Sequence, residues 1–235
     1  MDIFVQGGCG PEYVTETVQD TYLEFAAHHY ELAAERMTDP RDDLISLWLK
    51  ARIDGEPMTE DEILFEHTMI LVGGSETTRN AISGGLYELI RDPEQWEWLR
   101  AHPEAIPNAC EEMTRWVTPF INMSRTVTRD VEFRDKTLRK GEELIMLYPA
   151  ANRDPRAFEN PDTFDVRRRF DRKPVAFGYG RHHCLGANLA RVEMKVLYEE
   201  LFRAVSKVEF AGEPTFRMSS FIRGPKTLPV RFTPA

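Results

Sequence analysis

The run Phe177-Gly178-Tyr179-Gly180-Arg181-His182-His183-Cys184-Leu185-Gly186 holds the residues of this chain best suited to chemistry. Cys184 stands just before a stretch, Leu185 to about Val205, whose apolar residues Ala187, Leu189, Ala190, Val192 and Met194 follow a helical period. A sulfur in that place meets the unpaired N–H groups and the positive dipole end of a helix. Both favour the thiolate, the form that ligates metal. Gly178, Gly180 and Gly186 allow turns that other residues resist. Gly186, Ala187 and Ala190 leave a flat strip on which a planar macrocycle can lie, and His182 can donate to an anionic group at its rim. Two plainer readings stand beside this one. The cysteine can be a small buried residue in a glycine-rich loop. His182, His183 and Cys184 also hint at zinc, but no partner pair is spaced to complete a four-ligand site.

Three further groups could do work. Gly73-Gly74-Ser75-Glu76-Thr77-Thr78 interrupts an apolar stretch, where two glycines each cost about 1 kcal/mol relative to alanine. A buried acid there must be paired or solvated. Thr77 follows Gly73 by four residues, so its hydroxyl can compete for the Gly73 carbonyl and open a polar notch. The alternative is a kink whose polar residues face solvent or another subunit. Glu112 and Arg115 are spaced i,i+3 and can form an ion pair. Arg125, in Asn122-Met123-Ser124-Arg125-Thr126, suits a carboxylate because its fork is bidentate, or it is an ordinary strand charge.

Elements to carry these groups follow from pattern. Val14, Val18, Tyr22, Phe25, Ala26, His29, Leu32 and Ala33 share one face of a helix over Pro11–Met37. A short helix runs through Leu44–Leu49, and Asp54-Gly55-Glu56-Pro57 is a turn. Thr59-Glu60-Asp61-Glu62 reads as a capping box opening a helix that continues to about Ile90. Ile63-Leu64-Phe65 and Met69-Ile70-Leu71-Val72 are apolar on nearly every side, which suits an interior helix. Helices follow near Glu94–Leu99 and Ile106–Val117. Arg125–Val127, Val131–Phe133, Thr137–Leu138 and Leu144–Leu147 are expected to form a small antiparallel sheet. A Pro- and Arg-rich loop spans Pro155–Pro174, and a C-terminal hairpin contains Gly224-Pro225. The expected class is mainly α with a minor antiparallel sheet (α+β), in one domain over 1–235.

A net charge of −9 argues against a nucleic-acid binder. No window approaches the roughly 18 apolar residues of a membrane span. Met1–Gly8 lacks the marks of a signal peptide, and Cys9, Cys110 and Cys184 form no CxxC pair. These readings lead to the expectation of a cytoplasmic protein without a membrane anchor in this chain.

The filled pattern Phe-x-x-Gly-x-x-x-Cys-x-Gly before a helix resembles the haem-binding signature of the cytochrome P-450 family, the haem-thiolate monooxygenases, of the bacterial soluble type. The notch and the Glu112/Arg115 pair lie in the family's order. By this resemblance Cys184 is the metal ligand of haem b (iron protoporphyrin IX). Glu76 and Thr77 are the acid and alcohol that relay protons in dioxygen activation. The cofactor-contacting residues are Gly73, Gly74, Arg125 (towards a propionate), Phe177, Gly178, Gly180, His182, Leu185, Gly186 and Ala190. Glu112 and Arg115 are a structural pair behind the cofactor. The family often adds an arginine in a Pro-x-Arg-Phe element, but this chain has Thr163 there, and Arg167 or Arg168 is left to substitute. Phe120–Asn122 and Ser220–Ile222 resemble segments that contact substrate. The implied substrate is a hydrophobic small molecule, such as a sterol or lipid side chain. The implied electron donor is a ferredoxin or flavodoxin, docking on Arg167, Arg168, Arg169, Arg172 and Lys173 unless these are only a solvated basic run. The resemblance runs from about Asp42 to Ala235, and family members are longer. The chain is therefore expected to be a C-terminal portion, with the N-terminal part of the fold missing. Its alternatives are a non-catalytic remnant, a haem-binding fragment, or a helical scaffold without haem.

Overall fold

A computed structural model describes residues 15–235. The expected start of the first helix, with Pro11 and Val14, lies outside the described residues. The chain divides into two compact units, residues 1–76 and 77–235.

In the first unit, helix α1 (Thr15–Thr38) buries Ala26, His29 and Arg36 along one stripe. Helix α2 (Leu44–Lys50) is capped by Asp43, whose carboxylate accepts from the Ser46 N–H at 2.8 Å and from Arg36. The expected turn at 54–57 is the bend of a short hairpin, β1 (Arg52–Ile53) with β2 (Glu56–Pro57). Asp54 and Gly55 both take positive φ, the geometry that matches the twist of two paired strands. Helix α3 (Glu60–Ser75) opens on the capping box as read: Thr59 and Glu62 satisfy each other's backbone N–H, at 3.3 and 2.7 Å. His29 and His67 meet Nδ1 to Nδ1 at 2.9 Å, so one ring donates and the other accepts. Burial holds both imidazoles below their ordinary pKa, with neighbouring histidine charge adding to it.

The expected continuous helix from Thr59 to Ile90 is two helices. α3 ends at Ser75 and α4 (Thr77–Arg91) begins after Glu76. Two glycines weaken the ladder just upstream, and the Ser75 hydroxyl donates to the Leu71 carbonyl at 2.8 Å. The interior reading of α3 also needs correction: Ile63 and Leu64 are buried, but Phe65 and Met69 are more than half exposed.

The second unit is built on α4, α5 (Pro93–Ala101), α6 (Ile106–Val117) and the later helix α8 (Ala187–Ala204). Leu89, Trp96, Leu99, Ile106, Ala109, Cys110, Met113, Met194 and Tyr198 form its core. Gly84 and Gly85 let α4 approach α6 closely; a Cβ at either would lie 2.5 to 2.6 Å from Val117 or Met113 side-chain atoms. Burial pushes the Cys110 thiol up to about 12, which makes it inert. The expected small sheet appears as two separate hairpin pairs. β3 (Asn122–Thr126) pairs with β6 (Glu143–Leu147), and β4 (Val131–Phe133) with β5 (Lys136–Leu138). After the short helix α7 (Tyr148–Ala151), no helix or strand is assigned over 155–174, as the Pro- and Arg-rich composition suggested. Gln95 of α5 holds this stretch at both ends of its amide, donating to the Phe164 carbonyl and accepting from Val166 N–H. β7 (Val205–Phe210) pairs with β10 (Val230–Pro234), and β8 (Thr215–Phe216) with β9 (Pro225–Thr227).

Candidate functional site

The cysteine loop is assembled from backbone. The Cys184 N–H donates to the Phe177 carbonyl at 2.8 Å, closing the loop on itself. Gly178 has φ +71°, and a Cβ there would press on the His182 carbonyl at 3.2 Å, so this position requires glycine. Gly180 also has positive φ and opens a single 3-10 turn through His182. α8 begins at Ala187, two residues later than the apolar period implied, with Gly186 as its cap. Gly186 brings no side chain to the first turn of the helix.

Cys184 is exposed, which sets aside the reading as a small buried residue. Around it the chain is bare: Tyr179 and Leu185 are 90% and 86% exposed, and Leu189 and Val192 are more than half exposed. The expected strip is narrower than read, because Ala187 is buried in the core while Gly186 and Ala190 remain at the surface or half-buried. His182 is exposed. No cluster of three or more His, Cys, Asp or Glu side chains among the described residues could hold a metal ion, so the zinc reading has no support.

Behind this loop lies a buried ion cluster. Glu112 and Arg115, both 0% exposed, meet through Nε at 2.6 Å and Nη2 at 2.8 Å. The remaining Arg115 N–H groups reach the carbonyls of Asn152, Pro161 and Thr163 at 2.8, 2.9 and 3.1 Å. Arg168 supplies the third partner, its Nε 2.9 Å from Glu112. Its other nitrogens donate to the carbonyls of Glu159, Asn160 and Thr163. Arg167 is instead exposed, with its guanidinium 5.0 Å from the Trp98 ring centre. Arg168 therefore leaves the exposed basic run, which keeps Arg167, Arg169, Arg172 and Lys173. Asn152 joins the cluster to the loop. Its Oδ1 accepts from Val175 N–H at 2.8 Å, and the Val175 carbonyl accepts from Gly178 N–H at 2.8 Å.

Arg125 lies on β3, half-buried, with no ion pair among the described residues; one Nη1 bond goes to the Ser124 carbonyl. The two segments flanking it in the sequence reading are joined. Phe120 bridges Ile222, the Ile121 N–H donates to the Phe221 carbonyl at 2.9 Å, and Asn122 donates to the Ser220 carbonyl at 2.7 Å.

At the break between α3 and α4, Gly73 and Gly74 are exposed and a Cβ on either would meet nothing within 4 Å. Close packing is thus not their reason for being glycine. Glu76 is 1% exposed and Thr77 half-buried. Sequence reasoning overlooked Arg191 of α8, whose guanidinium lies 4.5 Å from the Phe177 ring centre. A cation following an aromatic-bearing loop at the start of a helix was the available signal.

These residues are the setting for the comparisons with known proteins. The Cytochrome P450 family model matches residues 11–208, and the chain belongs to that family. Its members bind haem through a cysteine thiolate. The chain is 38% identical to a steroid C26-monooxygenase of Mycolicibacterium smegmatis, a match covering 95% of this chain and 56% of that protein. It is 40% identical to a methyl-branched lipid omega-hydroxylase of Mycobacterium bovis, covering 89% of this chain and 49% of the relative. The crystal structure of CYP109E1 from Bacillus megaterium in complex with corticosterone superimposes with a TM-score of 0.85 at 33% identity, covering 98% of this chain and 63% of that one. The chain thus spans about half the length of the curated relatives it matches. Among the described residues no helix is long and apolar enough to cross a membrane.

Proposed function

We propose that this chain is the haem-binding part of a single cytochrome P450 domain, in a monooxygenase that hydroxylates a hydrophobic small molecule. The observation that carries this is Cys184: an exposed thiol at the start of an 18-residue helix, in a loop shaped by Gly178 and Gly180, within a P450-family chain. The residues suit haem b. A thiol open to ligation, bare apolar surface at Leu185 and Leu189, and an unpaired half-buried Arg125 match an iron, a macrocycle face and a propionate. Phe177, Gly178, Gly180, His182, Gly186 and Ala190 complete the loop side; Gly73 and Gly74 are counted as cofactor contacts by the family resemblance alone.

Haem, when bound, supplies dioxygen activation and oxygen transfer, chemistry that belongs to the cofactor and that a thiolate ligand favours. The protein's part is to hold, orient and deliver. Cys184 donates the thiolate, and Arg125 neutralises a carboxylate at the rim. Glu76 and Thr77, an acid and a hydroxyl together at the break between α3 and α4, would move protons through water, the role that the family resemblance gives them. The joined segments 120–122 and 220–222 place Phe120 and Phe221, ring centres 5.0 Å apart, to contact substrate. A steroid or lipid side chain is the substrate class, supported by what the relatives are named for. Electrons come from a cytoplasmic ferredoxin- or flavodoxin-type carrier meeting Arg167, Arg169, Arg172 and Lys173.

The test is the ferrous carbon-monoxide spectrum of the full chain with and without Cys184→Ser, followed by turnover with a ferredoxin system on a steroid and on a methyl-branched fatty acid. The expected result is a strongly red-shifted Soret band lost in the variant, then hydroxylated product. A band that survives Cys184→Ser overturns the ligand assignment. Haem binding without product favours the second reading, a chain that binds haem without catalysis.

A further inference from the structure

Arg191 bridges the core and the cysteine loop. It stands on the second turn of α8, and its Nε and Nη2 engage the Glu111 carboxylate of α6, the latter at 3.4 Å. Its Nη1 reaches back to the Ala187 carbonyl at 3.5 Å. Both side chains are partly sheltered, 33% and 24% exposed. The guanidinium carbon Cζ lies over the Phe177 ring, 4.5 Å from its centroid, within the range of a cation–π contact. Phe177 in turn provides the carbonyl that receives the Cys184 N–H. Among the described residues the loop has one other side-chain tie, Asn152 Oδ1 to the Val175 N–H at its start; near Cys184 its bonds are local backbone turns, and Tyr179 and Leu185 stand in solvent.

We propose that Arg191 is a positioning residue for the haem-ligating cysteine, clamping Phe177 against α6 and so holding the sulfur's loop in one conformation. The proposal rests on the reading of Cys184 as the iron ligand. An arginine suits the place because one guanidinium can offer two donors to a carboxylate and a weakly hydrated cation to a ring at the same time. A lysine keeps the charge and can keep Glu111, but it loses the guanidinium over the ring.

The experiment compares Arg191→Gln and Arg191→Lys with the wild-type full chain by amide hydrogen exchange and mass spectrometry, with and without haem. Expected for Arg191→Gln is exchange about fivefold faster over 177–185, with the core peptides over 99–113 unchanged. In the haem-loaded variant part of the ferrous carbon-monoxide band moves to shorter wavelength, as ligation by the thiolate becomes incomplete. Arg191→Lys is expected to fall short of wild type in both. Wild-type exchange in Arg191→Gln overturns the proposal, as does a rise equally large in the 99–113 core, which would make Arg191 a general stability residue. Wild-type behaviour of Arg191→Lys overturns the guanidinium over the ring as the holding contact. Cys184→Ser measured in parallel separates the two readings. If its haem spectrum is unchanged, the ligand assignment falls, while the exchange data still decide the clamp.

Discussion

Glu112→Gln is expected to be among the most damaging single substitutions of one atom in this protein. The carboxylate receives Nε and Nη2 of Arg115 at 2.6 and 2.8 Å, Nε of Arg168 at 2.9 Å and the Asp165 N–H at 2.9 Å. Four donors thus converge on two oxygens that have no exposure to water. A glutamine offers one acceptor oxygen and turns an NH2 group towards donors. It also leaves two guanidinium groups with no anion between them. Removing one partner of a buried pair costs about 3–5 kcal/mol. For a unit of this size each kcal/mol lowers Tm by about 2–4 °C, so the expected drop is roughly 6–20 °C. Thermal and denaturant unfolding followed by circular dichroism measure it. The companion variant Arg168→Gln gives the sign test. Alone it destabilises, because it removes a bond to Glu112. In the Glu112→Gln background it costs less, since the cation it removes has lost its anion and only its bonds to the carbonyls of Glu159, Asn160 and Thr163 remain to be lost. The coupling should be on the order of 1–3 kcal/mol. A Tm within about 2 °C of wild type for Glu112→Gln, or an additive cycle, would refute the view that charge pairing holds α6 to the 159–168 loop.

Two other outcomes follow from the geometry. His29 and His67 have pKa values lowered by burial, so their contribution to folding is complete above about pH 6.5 and is lost as the pH falls through their folded values. Imidazole titration by NMR checks this, and transitions of both rings at or above 6.5 would refute it. Gly224→Ala should destabilise by about 1–3 kcal/mol, because its Cβ would lie 2.4 Å from Cγ of the fully buried Asn80. Asn80→Ser removes Cγ and Oδ1 but leaves Cβ 2.7 Å away, so it should recover only part of that loss in denaturant melts, and no recovery would locate the strain elsewhere.

Where residues act on near neighbours, the sequence was readable. A helix expected near Ile106–Val117 is α6, and Thr59 with Glu62 announced the α3 cap. Cys184 and its glycines lie in one local run, so the loop could be read before any fold was known. The break at Glu76 was harder. Gly73-Gly74 signals a weakened helix, but not whether the chain bends or stops, which depends on what surrounds it. The strand Val205–Phe210 was hidden because it continues straight from α8, and only its pairing with Val230–Pro234 makes it a strand. The choice of Arg168 over Arg167 was undetermined for a similar reason. Adjacent residues in a loop point different ways, and the carbonyls that receive Arg168 are gathered only by folding. Arg191 was missed because its partners, Glu111 and Phe177, come from distant and unrelated patterns.

The two arginines of the buried cluster spend most of their remaining bonds on main-chain oxygens, those of Asn152, Glu159, Asn160, Pro161 and Thr163. Such acceptors are present whatever side chain evolution installs at those positions. Apart from Asn160, whose positive φ restricts its type, the side chains across 159–163 are not what these bonds require, and Arg168 arrives five residues after Thr163 to supply the second cation. What this arrangement does not forgive is a change of length. Losing one residue between 159 and 165 shifts every carbonyl at once, so selection here acts on the path of the chain and hardly on its letters.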